Sequence, residues 1–294
     1  VSGTRPVLAA VDGSESATRA LVWAATEARR LGRELRVLTV YPWPVTGYPD
    51  IAATGERLRA GLRAQAQDVL AQARLTADET TPGLLVRTEA LEGDAIGHLL
   101  AAGRVAEMLV LGSRGLGGFS GLLLGSTAVA LTAHGYCPVV VVRGEEPAPG
   151  RPRVVVGVDG GRSDEAALAY VFDYAAATGA TVVATHAWTD HTLDTVSTGG
   201  YLAVDWNTFS QQAEQELAAR LAPWRAGHPE VEVESVVARA RPARLLMDQA
   251  KGATLLVVGS RGRGGFAGLV LGSTSQALIH HAPCPVVVVR PDER

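Results

Sequence analysis

The most constraining feature of this sequence is that it repeats itself at one fixed offset. Gly112-Ser113-Arg114-Gly115 recurs 147 positions on as Gly259-Ser260-Arg261-Gly262, and the same shift carries Asp12 to Asp159 and Cys137 to Cys284. A constant offset means a duplication with almost no net insertion, so a fold that serves one half must serve the other. The seam falls in the stretch 143–152, which reads as a polar Pro/Gly linker. It divides the chain into domains 1–146 and 147–294, each long enough to bury its own core.

Within each half, short apolar runs alternate with longer amphipathic segments. In the first half, strands are expected over residues 7–11, 35–40, 84–90, 108–111 and 139–142. Helices are expected from Ser14, as cap, to about Arg30 with Gly32 ending the segment, and over 56–75, 94–102 and 128–133. The second half repeats the pattern, with strands over 154–158, 181–187, 231–237, 254–258 and 286–289. Its helices are expected over 163–177, 209–220, from Arg244, and over 275–279. Strand-helix alternation of this kind predicts an α/β fold, a parallel sheet with helices on both faces joined by right-handed crossovers.

The repeated glycine stretch carries the chemistry. Each copy follows a strand, continues for nine residues, and ends in Gly125-Ser126-Thr127 or Gly272-Ser273-Thr274 at the start of a helix. Strand, glycine loop and helix start form a layout that binds phosphate, because free N–H groups at the helix start attract anions. A single loop of this kind also reads as a wide turn; two at identical internal spacing favour the binding reading. No lysine precedes Ser126, and Lys251 is the only lysine in the chain, so this is not a Walker A loop. A bound nucleotide is therefore held mainly by backbone groups. Asp12 and Asp159 end the first strand of each half, and in parallel sheets ligands sit beyond the carboxyl ends of the strands. Each aspartate can thus meet its glycine loop in one crevice, although it also reads as a turn-forming or capping side chain.

Bulk properties narrow the partners. A net charge of −3 without an extended basic run argues against nucleic acid or an anionic membrane. The balance of 47% hydrophobic and 19% charged residues suits a compact soluble protein. No apolar run reaches membrane-spanning length and the first residues lack a signal peptide's pattern, so a cytoplasmic location is expected. Cys137 and Cys284 each open a Cys-Pro-Val-Val-Val-Val run, with no second cysteine nearby. They read as small buried residues at a strand start rather than as zinc ligands.

With these motifs on the page, the chain resembles the universal stress protein family. The resemblance rests on Val11-Asp12-Gly13 and Val158-Asp159-Gly160, the two G-x2-G-x9-G-[ST] loops and the two Cys-Pro-Val-Val-Val-Val ends. It covers nearly the whole chain as two tandem domains. It implies Rossmann-like domains of the adenine nucleotide alpha hydrolase-like type, each a five-stranded parallel sheet of order 3-2-1-4-5. It implies ATP between strands one and four, and Mg2+ is expected to strengthen that binding by shielding the triphosphate. Carried over by motif, Val11 and Val40 line the base pocket, Asp12 meets the ribose or adenine side, and Gly112 and Gly115 let the loop approach. Gly125, Ser126 and Thr127 hold the triphosphate, and Arg114 offsets its charge. The second-domain positions are Val158, Asp159, Ala187, Gly259, Arg261, Gly262, Gly272, Ser273 and Thr274.

Some readings stay open at this level. Arg114 and Arg261 also read as solvated surface charges, and Tyr41, Trp43 and Trp188 as packing residues rather than base-stacking ones. After strand three, Leu91-Glu92-Gly93-Asp94-Ala95 becomes Ala238-Arg239-Ala240-Arg241-Pro242, which makes the second site more electropositive and puts equal affinity in doubt. The expected function is an ATP-binding regulatory module with two sites. The alternatives are a weak ATPase or autophosphorylating enzyme and a nucleotide-free partner-binding protein. Nothing in either loop supplies an evident general base, so no catalytic residue and no metal ligand is assigned. The valine runs 139–142 and 286–289 close each domain, and pairing between them predicts an internal pseudo-dimer, the alternative being a homodimer of tandem chains. The apolar runs 122–124 and 269–271 offer further contact surface.

Overall fold

A computed structural model of the chain describes residues 5–42, 52–115, 125–144, 149–188, 206–262 and 271–291. Trp43 and the run 122–124 lie outside the described residues, and of the run 269–271 only Leu271 is described, where it is buried. The chain divides into two compact units, Val1–Arg143 and Gly144–Arg294.

The first unit runs β1 (Val7–Ala10), α1 (Glu15–Leu31), β2 (Leu35–Tyr41), α2 (Ala52–Thr80), β3 (Val86–Glu92), α3 (Ala95–Gly103), β4 (Met108–Gly112), α4 (Ser126–His134) and β5 (Val139–Val142). Its strands lie in the order β3-β2-β1-β4-β5, all parallel. Val7, Leu8 and Ala9 of the central strand are completely buried, as a parallel strand covered on both faces must be. α1 lays a seam of alanines, Ala17, Ala20, Ala24, Ala25 and Ala28, into the core, and their small side chains let it approach closely. Ser14 caps its start by accepting the Ala17 N–H at 3.2 Å, and Gly32, in the left-handed region at φ 62°, ends it.

The second unit repeats this. β6 (Arg153–Gly157), α5 (Asp164–Thr178), β7 (Thr181–Trp188), α6 (Trp206–Gly227) and β8 (Val233–Arg239) are followed by α7 (Pro242–Gln249), β9 (Leu255–Gly259), α8 (Ser273–His281) and β10 (Val286–Val289). Its strand order is β8-β7-β6-β9-β10, again all parallel. The offset of the sequence holds element by element, since β3, β4, α4 and β5 have counterparts in β8, β9, α8 and β10 whose bounds are shifted by the same amount. Phe172 is fully buried here, stacked on Trp224 at 5.8 Å and beside His228 at 5.4 Å.

Several boundaries differ from the sequence expectation. The third strand of each unit starts and ends two residues later than expected, because the ladder with the second strand runs on to Tyr41 opposite Glu92 and Trp188 opposite Arg239. Leu85 stays exposed in the approach to the strand. α2 continues past residue 75 because fully buried Ala77 carries its apolar face one turn further. α6 runs through Pro223 to Gly227, past the expected end at residue 220. Packing of Trp224 against Phe172 supports that last turn despite the hydrogen bond that proline cannot donate.

Candidate functional site

In the first unit, β2 and β3 lie to one side of β1 and β4 and β5 to the other, so the winding reverses between β1 and β4. The crevice beyond their carboxyl ends is where such sheets take ligands. Asp12 follows β1 and folds back on its own turn, with Oδ1 accepting the Ser14 N–H at 3.0 Å. Its other oxygen stands against Gly115, so that a Cβ at residue 115 would overlap Oδ2. The Ser14 hydroxyl donates to the Arg114 carbonyl at 3.2 Å, and Ser16 Oγ accepts the Arg114 N–H at 3.3 Å. Gly112 is pressed on the first turn of α1: a Cβ there would lie 2.6 Å from the Ser16 backbone. The missing side chains of Gly112 and Gly115 thus serve packing between the loop and the first turn, before any ligand is considered.

Gly125 behaves differently. It is the N-cap of α4, it donates its N–H to the Ser113 carbonyl at 3.0 Å, and a Cβ there would meet nothing within 4 Å. It therefore faces open space at a helix start, where the N–H groups of the first turn have no partner inside the helix. The nine positions that the sequence marks in this half (Val11, Asp12, Val40, Gly112, Arg114, Gly115, Gly125, Ser126 and Thr127) all line one cleft of about 470 Å³. Arg114 is exposed at its mouth and Val11 is buried in its wall. The remaining wall is apolar, from Leu38, Leu99 and Leu111, with the small residues Ala10, Ala17, Ala95 and Ala128. Sequence reasoning missed this wall, although Leu38 shares a face of β2 with Val40, and Ala95 and Leu99 share a face of α3.

The second unit keeps the frame. Asp159 Oδ1 accepts the Gly161 N–H at 2.8 Å, and its Oδ2 would be overlapped by a Cβ on Gly262. The Arg261 N–H reaches Ser163 Oγ at 3.3 Å, Gly259 is pressed on Ser163, and the Gly272 N–H donates to the Ser260 carbonyl at 2.8 Å. Ser273 and Thr274 open α8 behind the N-cap Gly272. Val158 is buried, its carbonyl accepting from His186 Nδ1 at 2.6 Å, and Ala187 sits on β7 where Val40 sits on β2. Arg261 is exposed, like Arg114.

Around this frame the side chains have diverged. In the first unit, Glu92 accepts from Arg59 Nε at 2.7 Å, from Arg59 Nη2 at 2.9 Å and from the Tyr41 hydroxyl at 3.3 Å. The Arg59 hydrogen bonds hold the Glu92 carboxyl below its usual range. In the second unit the same three positions are Arg239, Trp206 and Trp188, and Arg239 lies over the Trp206 ring at 3.9 Å. Trp188 stacks on Trp206 at 6.0 Å and Phe209 at 6.4 Å, so it serves an aromatic cluster. Ala128 is matched by Ser275, whose hydroxyl donates to the Gly259 carbonyl at 2.7 Å. Ala17 is matched by Asp164, a buried carboxylate that accepts the Gly160 N–H at 2.6 Å and the Asp159 N–H at 3.3 Å, with Arg220 at 4.0 Å. Burial pushes Asp164 up to about 6, and the neighbouring Asp159 charge adds to the shift against the hydrogen bond from Gly160.

Among the described residues no group of three or more histidine, cysteine or carboxylate side chains is arranged to hold a metal ion. Both cysteines are buried outside any disulfide, each just before its final strand, and burial pushes the Cys137 thiol up to about 12. No helix among the described residues is long and apolar enough to cross a membrane.

Comparison with known proteins places this architecture. The model of the universal stress protein family matches twice, over residues 3–143 and 150–290. Universal stress protein Rv1996 of Mycobacterium tuberculosis is 36% identical over 300 residues, covering 97% of this chain and 94% of the relative. Universal stress protein Rv2005c of the same organism is 37% identical over 293 residues, covering 97% and 96%. A crystal structure of a universal stress protein from Archaeoglobus fulgidus has the same fold, with a TM-score of 0.72 at 22% identity over 99% of this chain and 98% of that one. Two matches of the family model in succession, and relatives that align from end to end, show that the chain belongs to the universal stress protein family and carries its domain twice in tandem.

Proposed function

We propose that this chain is an ATP-binding regulatory module whose first-domain cleft takes the nucleotide together with Mg2+. The observation that carries the reading is the convergence of all nine marked positions, drawn from the turn after β1, from β2, β4, the glycine loop and α4, on a single cleft of about 470 Å³. That volume falls in the usual small-molecule range of roughly 300–1,000 Å³. In this reading the apolar wall of Val11, Leu38, Val40 and Leu99 takes the base, and Asp12 takes the ribose side. The amides of Ser126 and Thr127, with their hydroxyls, take the triphosphate at the positive end of α4. Arg114 and Mg2+ offset phosphate charge. Open space at Gly125 fits this role, since a side chain there would occupy the volume that a phosphate needs.

Among the described residues lining the cleft, Asp12 is the only carboxylate. One of its oxygens is engaged by the turn and the other is turned to Gly115. A group so engaged is poorly placed to activate water, which favours nucleotide occupancy over turnover as the working signal. The test is calorimetric titration of the full chain with ATP and Mg2+, beside mass spectrometry of the small molecules released by heat. Saturable binding of ATP supports the reading. No binding at millimolar ATP, with no nucleotide released, rejects it.

A further inference from the structure

The two halves differ most consequentially at one pair of positions, Ala17 and Asp164. Ala17 lines the first-domain cleft, where it presents only a methyl group. Asp164 stands at the corresponding place, first residue of α5, only 7% exposed, and holds the amides of Asp159 and Gly160 with its carboxylate. These are the amides of the turn that follows the first strand, the counterparts of Asp12 and Gly13, and Ala17 has no side-chain atom that can accept from those. Asp159, on the same turn, directs its own carboxylate at Gly262 at the start of the glycine loop. Two carboxylates therefore meet at the turn whose first-domain counterpart takes the ribose side in the reading above, and the nearby Arg220 of α6 answers Asp164 at 4.0 Å.

We propose that Asp164 is a built-in anion that occupies the second domain's nucleotide site, so that this domain excludes the nucleotide that the first domain admits. The inference rests on the reading of the first cleft given above. The plainer account is that Asp164 supplies negative charge to the start of its own helix. Glu165, exposed in the same first turn, already provides that from the surface. A helix start gains nothing from burying the carboxylate as well, because desolvating a charge is costly. Its first-domain counterpart, Ala17, is part of the cleft wall, so Asp164 is buried at the place that wall occupies in the other domain. Arg239, at the end of the third strand, is engaged on the Trp206 ring.

The experiment is ATP titration of the full chain at neutral pH with Mg2+ in excess. The wild type should take one ATP per chain. Asp164→Ala, which gives the second domain the first domain's residue, should take two, and so should Asp164→Asn, which removes the charge while keeping an acceptor for the Gly160 amide. Ala17→Asp should weaken the first site about tenfold or more, as a like charge beside a polyphosphate in a partly desolvated cleft would. Thermal melts confirm that each variant is folded. Wild-type chain that already binds two ATP with equal affinity overturns the proposal, and so do folded Asp164 variants that still bind one. A chain that binds no ATP in any form overturns the nucleotide reading itself, a pattern distinct from either.

Discussion

Asp12 and Gly115 are fitted to each other, for the space where residue 115 would carry a Cβ is held by Asp12 Oδ2. Asp159 and Gly262 stand in the same relation in the second domain. The aspartate is thus set by its own turn on one side and by the glycine loop on the other. A methyl group at residue 115 forces the carboxylate to swing away. Gly115→Ala should therefore lower ATP affinity about tenfold while costing roughly 1 kcal/mol of stability, an ordinary price for one displaced surface group. Calorimetry and a thermal melt of the same sample check both halves of the claim, and unchanged affinity would remove Asp12 from the ribose side.

The other two glycines of the loop should separate folding from binding. At Gly112 a Cβ would lie 2.6 Å from the Ser16 backbone, which cannot move without shifting α1. Gly112→Ala should destabilise the first domain by about 1–3 kcal/mol, as overpacking does. At Gly125 a Cβ meets nothing within 4 Å, and the φ of −71° and ψ of 145° suit valine. Gly125→Val should cost about 1 kcal/mol or less, the usual loss at a helix cap, yet abolish ATP binding in the first domain. Melting temperature and titration stoichiometry read the two effects apart.

The pattern of legibility follows from the physics of each element. Buried parallel strands announce themselves as apolar runs, so β1, β4, β5 and their counterparts stand out in the sequence. A constant offset transfers every inference from one half to the other, and β3 and β8 keep it to the residue. The ends of the third strands were less legible, because edge strands carry charges such as Arg87 and Glu89 that do not mark where pairing stops. Glycines pointed to the site but not to their separate duties, since nothing local distinguishes Gly112, pressed on Ser16, from Gly125, open to the cleft. Asp164 was hidden for a similar reason. An aspartate after a serine at a helix start reads as a surface cap, and only the fold reveals that it is buried beside Asp159.

Turnover should be slow. Asp12 is the only carboxylate among the described residues lining the first cleft, and the turn already engages it. The sequence has no lysine near either loop to stabilise a transferring phosphoryl group. Steady-state release of phosphate from ATP should stay well below about 1 s⁻¹, the low end of ordinary enzyme rates. A sustained rate above that bound would make the protein an ATPase and would require a base outside the cleft lining described here.

Stability should depend on pH through Asp164. Burial is the main cause of its rise to about 6, with the charge of Asp159 beside it, while the hydrogen bonds from the Gly160 and Asp159 amides pull the other way. The folded state thus holds this proton more tightly than the unfolded chain, where an aspartate titrates near 3.9. The stabilisation from protonation is fully present below the unfolded value and is lost as pH rises through about 6. Between about pH 5 and 7.5 the melting temperature should fall, by an amount on the order of 2 kcal/mol at most in stability terms. Asp164→Asn removes the titrating group, so its melting temperature should vary less over that interval and should exceed that of the wild type at the upper end. Parallel melts of the two proteins across the interval decide the matter, and equal slopes would place the pH dependence on another group.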